Sequence, residues 1–330
     1  MATRWGICSA GKISHDFSVA LKTLRPGDHQ ISAIAARELK AAQEFAERHG
    51  IPKVYGSYEE LANDPEIGTI HPHHLRVGQL FMNSGKNVLI EKPLAMNSKE
   101  VKELVANAKK NNVFLMEALW TRFFPVSVEV RELLGRGDVG EVRMVRADLG
   151  APLTHIPRLI EKDLGGGALL DIGVYCLQFV LMVYGGERPE SIHATGWNLD
   201  TGVDGHVVIV LKFSRNRMAV CTCSISLTLT NDAVIVGTKG IIKVPDNMWC
   251  PVNLEVNGRV SHHPLPEVCM PLNFTHSAGL RYEAEEVRQC LLRGQKESCV
   301  MSLSDSSLLA EIMDEARRQV GVTYSQDSDQ

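Results

Sequence analysis

The sequence predicts two domains: an α/β domain on a parallel sheet over residues 1–118, and an α+β domain with an open, mostly antiparallel sheet over 119–330. Strand candidates alternate with amphipathic helices as far as Met116, the pattern of parallel strands joined by right-handed crossovers. Beyond that point strand-like runs follow one another, separated by the turns Ser214–Asn216, Gly237–Gly240 and Asn257–Gly258. A chain of 330 residues, 44% of them apolar, has material for two cores.

In the first half, residues 4–8 read as a short apolar strand ending in a Ser/Gly turn, and His15 to Leu24 as a helix. Gln30 to Ala36 is a β-branched, Ala-rich strand, and Leu39 to His49 a helix with Ala41, Phe45 and Ala46 on one face. Ser57 and Glu60 have the spacing of a capping box that opens a helix. Asn87 to Ile90 is a buried strand, Ser98 to Asn111 a helix, and Val113 to Met116 a strand. In the second half, Val128 to Leu134 is helical, Val142 to Leu149 a strand, and Ala168 to Val183 a long apolar helix. The strand runs are Ile192–Gly196, Val207–Phe213, Met218–Leu229, Asp232–Val236, Ile241–Val244 and Leu254–Val256. Helices over Tyr282–Leu292 and Ser304–Val320 close the chain, with a loose polar tail expected over 325–330.

A net charge of −4 gives no reason to expect a nucleic-acid or anionic-membrane partner. The eight cysteines form no CxxC pair, and the first residues lack a basic segment followed by an apolar run, so reduced thiols and a cytoplasmic protein are expected. No uninterrupted apolar run of about 18 residues suggests a membrane span. His71, His73 and His74 cluster, but no Cys or carboxylate lies at ligand spacing, so no metal is expected.

Four places carry chemistry. Gly6 to Ser14 ends a strand and opens a helix, where a Rossmann-type fold presents backbone amides and a helix N-terminus to a pyrophosphate. Ser9 and Ser14 occupy two of the three glycine positions of GxGxxG, and only Gly11 remains, followed by Lys12 and Ile13. Arg37 ends the second strand, where an NAD-binding domain usually carries an acid. A guanidinium there pairs with a 2′-phosphate, so NADP is expected. Glu91-Lys92-Pro93 follows the strand Asn87–Ile90 at its carboxyl end, the end that faces the ligand crevice, and Lys-Pro permits a cis bond. Finally, Gly165-Gly166-Gly167 opens a helix on which Asp171 and Tyr175 lie four apart, on one face.

Glu-Lys-Pro followed some eighty residues later by GGGxLxDxGxY resembles the glucose–fructose oxidoreductase and inositol dehydrogenase family, over nearly the whole chain. The family commonly has His where this chain has Tyr175; glucose–fructose oxidoreductase has Tyr. The resemblance implies that Tyr175 is the general acid/base, that Lys92 holds substrate and favours phenolate, and that Asp171 positions the substrate hydroxyl or the lysine. It implies cofactor contacts from Thr69, His71, Pro72 and His74 in a loop after the fourth strand, from Glu91 beside Lys92, and from Trp120, Arg122 and Phe123. A free tyrosine pKa near ~10 is about three units too high for a base at neutral pH, roughly 4 kcal/mol. One ammonium at ~4 Å in an effective dielectric of ~20 supplies about that much. The activity implied is NADP-linked oxidation of cyclic polyols, such as arene trans-dihydrodiols or D-xylose at its anomeric carbon, by a homodimer joined through the C-terminal sheet. The rivals are a biliverdin-type reductase on the same fold and a cofactor-binding protein without turnover.

One departure stands out. After the helix Ser57–Asn63, the family continues with a buried strand of about five apolar residues. Here the chain reads Asp64-Pro65-Glu66-Ile67-Gly68-Thr69, and only Ile67 stands where that strand belongs. A fourth strand truncated near 67–70 is expected, and with it poor folding or weak NADP binding.

Overall fold

The computed structural model describes residues 2–71 and 74–327. Two compact units form. The first comprises Met1–Leu94, Glu100–Trp120 and Leu265–Leu303; the second comprises Ala95–Lys99, Thr121–Pro264 and Ser304–Gln330.

The first unit carries six strands, β1 (Thr3–Cys8), β2 (His29–Ala35), β3 (Lys53–Tyr55), β4 (Thr69–His71), β5 (Asn87–Glu91) and β6 (Leu115–Ala118). They are ordered β3-β2-β1-β4-β5-β6, and every pairing is parallel. The crossovers are α1 (Lys12–Leu21), α2 (Leu39–His49), α3 (Tyr58–Asn63), α4 (His74–Asn83) and α5 (Ser98–Asn111). The capping box forms: the Glu60 amide donates to Ser57 Oγ at 3.2 Å, and Glu60 Oε2 accepts from the Gly56 amide at 3.0 Å. Trp5, Ile7, Ile34, Val88, Leu89 and Ile90 are fully buried, as strands covered on both faces require.

A fourth strand exists, and it is short. It is built from Thr69–His71 rather than from Ile67, and it pairs with Trp5–Ile7 of β1 on one side and Asn87–Val88 of β5 on the other. Ile67 is buried just before it. Charged groups stay off the sheet because Asp64 ends α3 and is satisfied locally, by Lys53 Nζ at 3.0 Å, the Tyr55 hydroxyl at 2.9 Å and the Glu66 amide at 2.9 Å. The buried Lys86 ammonium closes the turn by donating to the carbonyls of Asp64 and Ile67 at 2.5 and 3.0 Å. The strand is short, three residues against six in β1 and five in β5. The helix α4 was not foreseen.

The second unit holds β7 (Val142–Gly150), β8 (Ser191–Asn198), β9 (Asp204–Phe213), β10 (Arg217–Ser224), β11 (Ala233–Gly237), β12 (Ile241–Val244), β13 (Asn253–Val256) and β14 (Arg259–His262). They are ordered β14-β13-β12-β11-β7-β10-β9-β8, antiparallel except for β10 beside β7. Its helices are α6 (Pro125–Arg136), the short α7 (Pro157–Ile160) and α8 (Val174–Val183). The chain ends with α9 (Leu280–Leu292), in the first unit, and α10 (Leu303–Val320). The stretch Lys162–Val183 is long and apolar enough to cross a membrane, but it is 89% buried and serves as a core helix.

Two expected boundaries change. Residues 265–303 belong to the first unit rather than to the second. Buried polar groups there need partners from that segment: Asp16 accepts from the Asn273 and Phe274 amides at 2.9 Å and from Ser277 Oγ, and His29 meets Glu285 at 2.9 Å. The tail is also less loose than its polarity suggests. Ser325–Asp327 forms a helical turn, and Asp327 pairs with Arg317 at 2.6 Å.

Candidate active site

In the first unit the turn after β1 keeps glycine geometry without glycine. Ser9 has φ +90°, and its amide donates to the Ala35 carbonyl at 2.8 Å, tying the turn to the end of β2. Gly11 caps α1 in extended conformation; α1 has neither a side-chain cap nor an acid in its first turn. Its first amides are thus left for an anion. A Cβ on Gly11 would touch Ser9 Oγ only at 3.6 Å, an ordinary contact, so the bare backbone leaves room for a ligand's close approach. Lys12 is exposed beside it and Ile13 half-buried.

Arg37 lies two residues past β2, exposed, with no ion pair or hydrogen bond to any described residue. Near it stands Tyr58 at the start of α3. Burial raises the Tyr58 pKa, the Cys8 thiol adds to this, and the Arg37 guanidinium opposes it. These groups fit a nicotinamide dinucleotide: uncapped amides for the pyrophosphate, and an uncommitted guanidinium at the adenosine end.

Lys92 follows β5, and the Lys92–Pro93 bond is cis. The turn is fixed by carboxylates: Glu91 Oε2 accepts from the Lys92 amide at 3.2 Å, and Glu117 Oε1 from the Leu94 amide at 3.0 Å. Behind it Glu283 is fully buried; burial, with the Glu91 charge adding, pushes its pKa well above the usual carboxylate range. Trp120 is buried at the end of this unit. Thr69 and His71 are strand residues and His74 starts α4, so they do not form a loop after the strand. Pro72 and His73 lie outside the described residues.

In the second unit Gly165-Gly166-Gly167 leads into Leu169–Gly173, one wide π-type turn that continues as α8. Such turns gather at functional positions. Asp171 sits in the wide turn and Tyr175 at the second position of α8, so the four-residue spacing keeps both near one face. Tyr175 is buried, and Asp171 Oδ1 pairs with the Arg158 guanidinium at 2.9 Å. Arg122 was expected beside the nicotinamide. It is instead 2% exposed, with its guanidinium spent on Asp305 at 2.7 Å and on Gln178 at 3.2 Å. Phe123 is buried next to it in sequence.

The sequence alone singles out neither Tyr58, inside a capped helix start, nor Glu283, inside the helix Tyr282–Leu292. Asp204 lies in a polar loop before a strand, where contact with the pocket and a turn role are equally open; it is fully buried, and its Oδ2 accepts from the Leu169 amide at 2.6 Å. The signal available was an acid directly joined to the alternating run Gly205 to Phe213.

A parallel sheet in this order, with an uncapped helix after its first strand, defines a dinucleotide-binding domain. The comparisons agree. Residues 3–119 match the model of an oxidoreductase family with NAD-binding Rossmann fold, and residues 127–243 match the GFO/IDH/MocA C-terminal domain. The chain belongs to this GFO/IDH/MocA oxidoreductase family. It is 65% identical to the trans-1,2-dihydrobenzene-1,2-diol dehydrogenase of Danio rerio, over 99% of this chain and all of that one, and 48% identical to the Homo sapiens protein of the same name, over 99% of each. The first of these alignments runs over 333 positions against 330 residues here, so this chain carries gaps in it. Among solved structures, a levoglucosan dehydrogenase with NADH and levoglucosan superposes with a TM-score of 0.83 at 19% identity, over 97% of this chain and 98% of that one. A 3-ketoreductase from Actinomadura kijaniata with NADP superposes with a TM-score of 0.79 at 23% identity, over 98% of this chain and 99% of that one.

Proposed function

We propose that the chain is an NADP-dependent dehydrogenase that takes a hydride from a carbinol carbon of a cyclic polyol, first of all an arene trans-dihydrodiol. The observation that carries the reading is Tyr175, buried one turn beyond Asp171 on a helix opened by three glycines. Similarity along the full length to the dihydrodiol dehydrogenases supports the substrate class. D-xylose, oxidised at its anomeric carbon, belongs to the same class.

The bound cofactor supplies the nicotinamide C4 that accepts the hydride. Tyr175, as phenolate, takes the proton of the reacting hydroxyl through its phenolic oxygen. Resemblance to the family gives Lys92 the part of favouring that phenolate and holding the substrate hydroxyl. Asp171 orients the hydroxyl, with Arg158 fixing one of its carboxylate oxygens. Arg37 selects the 2′-phosphate of NADP over the free 2′-hydroxyl of NAD.

Turnover of benzene trans-dihydrodiol tests the site. Tyr175→Phe is expected to lower kcat by about two orders of magnitude or more, with NADPH affinity little changed, because a proton carrier acts on the transition state. Full activity in that variant would refute the assignment. Arg37→Ala is expected to weaken NADPH more than NADH, read by cofactor fluorescence; tighter NADH than NADPH in the unaltered protein removes the NADP reading.

The proposal extends to a homodimer. One face of the second sheet leaves Val208, Val210, Val220 and Thr222 half-exposed and Trp197 73% exposed, a surface that a partner's sheet would cover. Sedimentation as a monomer at micromolar concentration would remove this part. All eight cysteines are free thiols, in keeping with a cytoplasmic protein.

A further inference from the structure

The glycine turn at the start of the Tyr175 helix is held by a polar network with no part in proton transfer itself. Asp204 Oδ2 accepts from the Leu169 amide at 2.6 Å. Asp204 Oδ1, with no hydrogen-bond partner, faces Gly167, where an added Cβ would collide with it. On the other side the Tyr324 hydroxyl donates to the Gly166 carbonyl. Tyr324 is fixed in turn. The Arg317 guanidinium lies 4.9 Å from its ring centroid, and its amide donates to Asp327 Oδ2 at 2.8 Å. Asp327 also binds Arg317 at 2.6 Å and Asn97 Nδ2 at 2.9 Å, while Arg317 reaches Asp314 at 2.7 Å. Burial alone would raise the Asp327 pKa; hydrogen bonds from Arg317, Tyr324 and Asn97 bring it down to about 2.

We propose that Asp204 and the C-terminal turn Tyr324–Asp327 form a clasp that fixes the start of the helix carrying Asp171 and Tyr175, and that Asp204 and Tyr324 are positioning residues for the reaction. The inference rests on the reading of Tyr175 as proton carrier. The clasp grips both peptide groups that set the helix's direction: the Gly166 carbonyl from the tail, and the Leu169 amide from β9. The glycine turn has no side chains of its own; its Gly166 and Gly167 amides donate to the Glu161 and Leu159 carbonyls at 3.0 and 2.9 Å, and the clasp adds the anchors on the Gly166 carbonyl and the Leu169 amide. The wide turn after it forms helical bonds of poorer geometry than a regular α-turn, so its phase depends on what anchors its first residue. Through the Leu169 amide, six residues before Tyr175, Asp204 thus sets where the phenolic oxygen lies.

The test is steady-state turnover of benzene trans-dihydrodiol by Asp204→Asn and Tyr324→Phe in the full chain, with NADPH affinity and melting temperature measured alongside. Misplacing a catalytic group by about 1 Å costs up to about 100-fold, so Asp204→Asn is expected to lose about 10- to 100-fold in kcat and Tyr324→Phe about 3- to 10-fold. NADPH affinity should stay within about twofold, since the cofactor turn belongs to the other unit. Should Asp204→Asn not fold, Tyr324→Phe decides, because it removes one hydroxyl and keeps the ring. Unchanged kcat per folded molecule in the soluble variants, with only the melting temperature lowered, makes the network merely structural and overturns the proposal. Tyr175→Phe is the control. If it is inactive while both clasp variants are fully active, the clasp alone fails; if it is fully active, the reading of Tyr175 fails and the clasp with it.

Discussion

The two turns that open the functional helices treat glycine in opposite ways. After β1, Ser9 holds φ +90° with a side chain attached, and a Cβ on Gly11 would have ample room. Before the Tyr175 helix, every glycine is enforced by a neighbour. A Cβ on Gly165 would meet Met96 Sδ at 2.7 Å, one on Gly166 would meet the Leu159 carbonyl oxygen at 2.6 Å, and one on Gly167 would strike Asp204 with φ at +125°. A glycine demanded only for its φ can be replaced at a modest strain energy, of order 1–3 kcal/mol. A glycine pressed against backbone, as Gly166 is against the Leu159 carbonyl, cannot, because backbone has nowhere to go. The first turn therefore departs from its motif and keeps its shape, whereas the second preserves its motif in full.

The largest effect that would break this comparison is at Gly166. Gly166→Ala presses a methyl onto the Leu159 carbonyl and is expected to destabilise by roughly 3 kcal/mol or more, read as a shifted urea midpoint. A shift of a few tenths would show that the second turn is as tolerant as the first.

Next comes the pH dependence of the Asp204 anchor. Burial raises its pKa from 3.8 to about 6, an increase of 2.2, worth about 3 kcal/mol at 1.36 kcal/mol each. The groups facing it are Arg317, Tyr324 and Cys223. A raised carboxyl contributes stability that is fully present below pH 3.8 and lost as pH rises through about 6. The unaltered protein should therefore lose about 3 kcal/mol relative to Asp204→Asn between pH 4 and 7. Parallel stability curves for the two proteins would contradict the burial of this charge.

A third measurement concerns the short β4, where the parallel sheet is pinched. Inserting Val-Ile-Tyr-Val between Ile67 and Gly68 should lengthen the strand and free Thr69–His71 for the cofactor side. At about 1.5–3 kcal/mol per buried apolar side chain, even one or two newly buried residues would raise the melting temperature by several degrees. NADPH should bind more tightly at the same time. No change in either quantity would mean that the three-residue strand is sufficient.

The smallest effect is at Ser9. Ser9→Gly removes the strain of a side chain at φ +90° but loosens the unfolded chain, so a net gain of about 1 kcal/mol or less is expected. A clear loss of stability would mean that the Ser9 side chain contributes more than its backbone strain costs.

Much of this was legible beforehand because it depends on neighbours in sequence. Hydrophobic period gave α2 (Leu39–His49), α5 (Ser98–Asn111) and β12 (Ile241–Val244) with their ends, and the Ser57 cap needs only a residue three positions on. The turn–helix motifs at Ser9–Gly11, Lys92 and Gly165–Tyr175 are the basis of the proposed site, because phosphate, nicotinamide and acid/base groups need those local geometries. Tertiary structure decided the rest. The closing of β4 depends on Lys86 reaching two carbonyls 22 and 19 residues earlier in the chain; Arg122 is spent on Asp305, 183 residues away; residues 265–303 join the first unit to satisfy Asp16 and His29. Asp204 was opaque for the same reason. Whether an acid is a solvated turn or a buried anchor depends on which amide lies opposite it, and that amide, on Leu169, is 35 residues earlier in the chain.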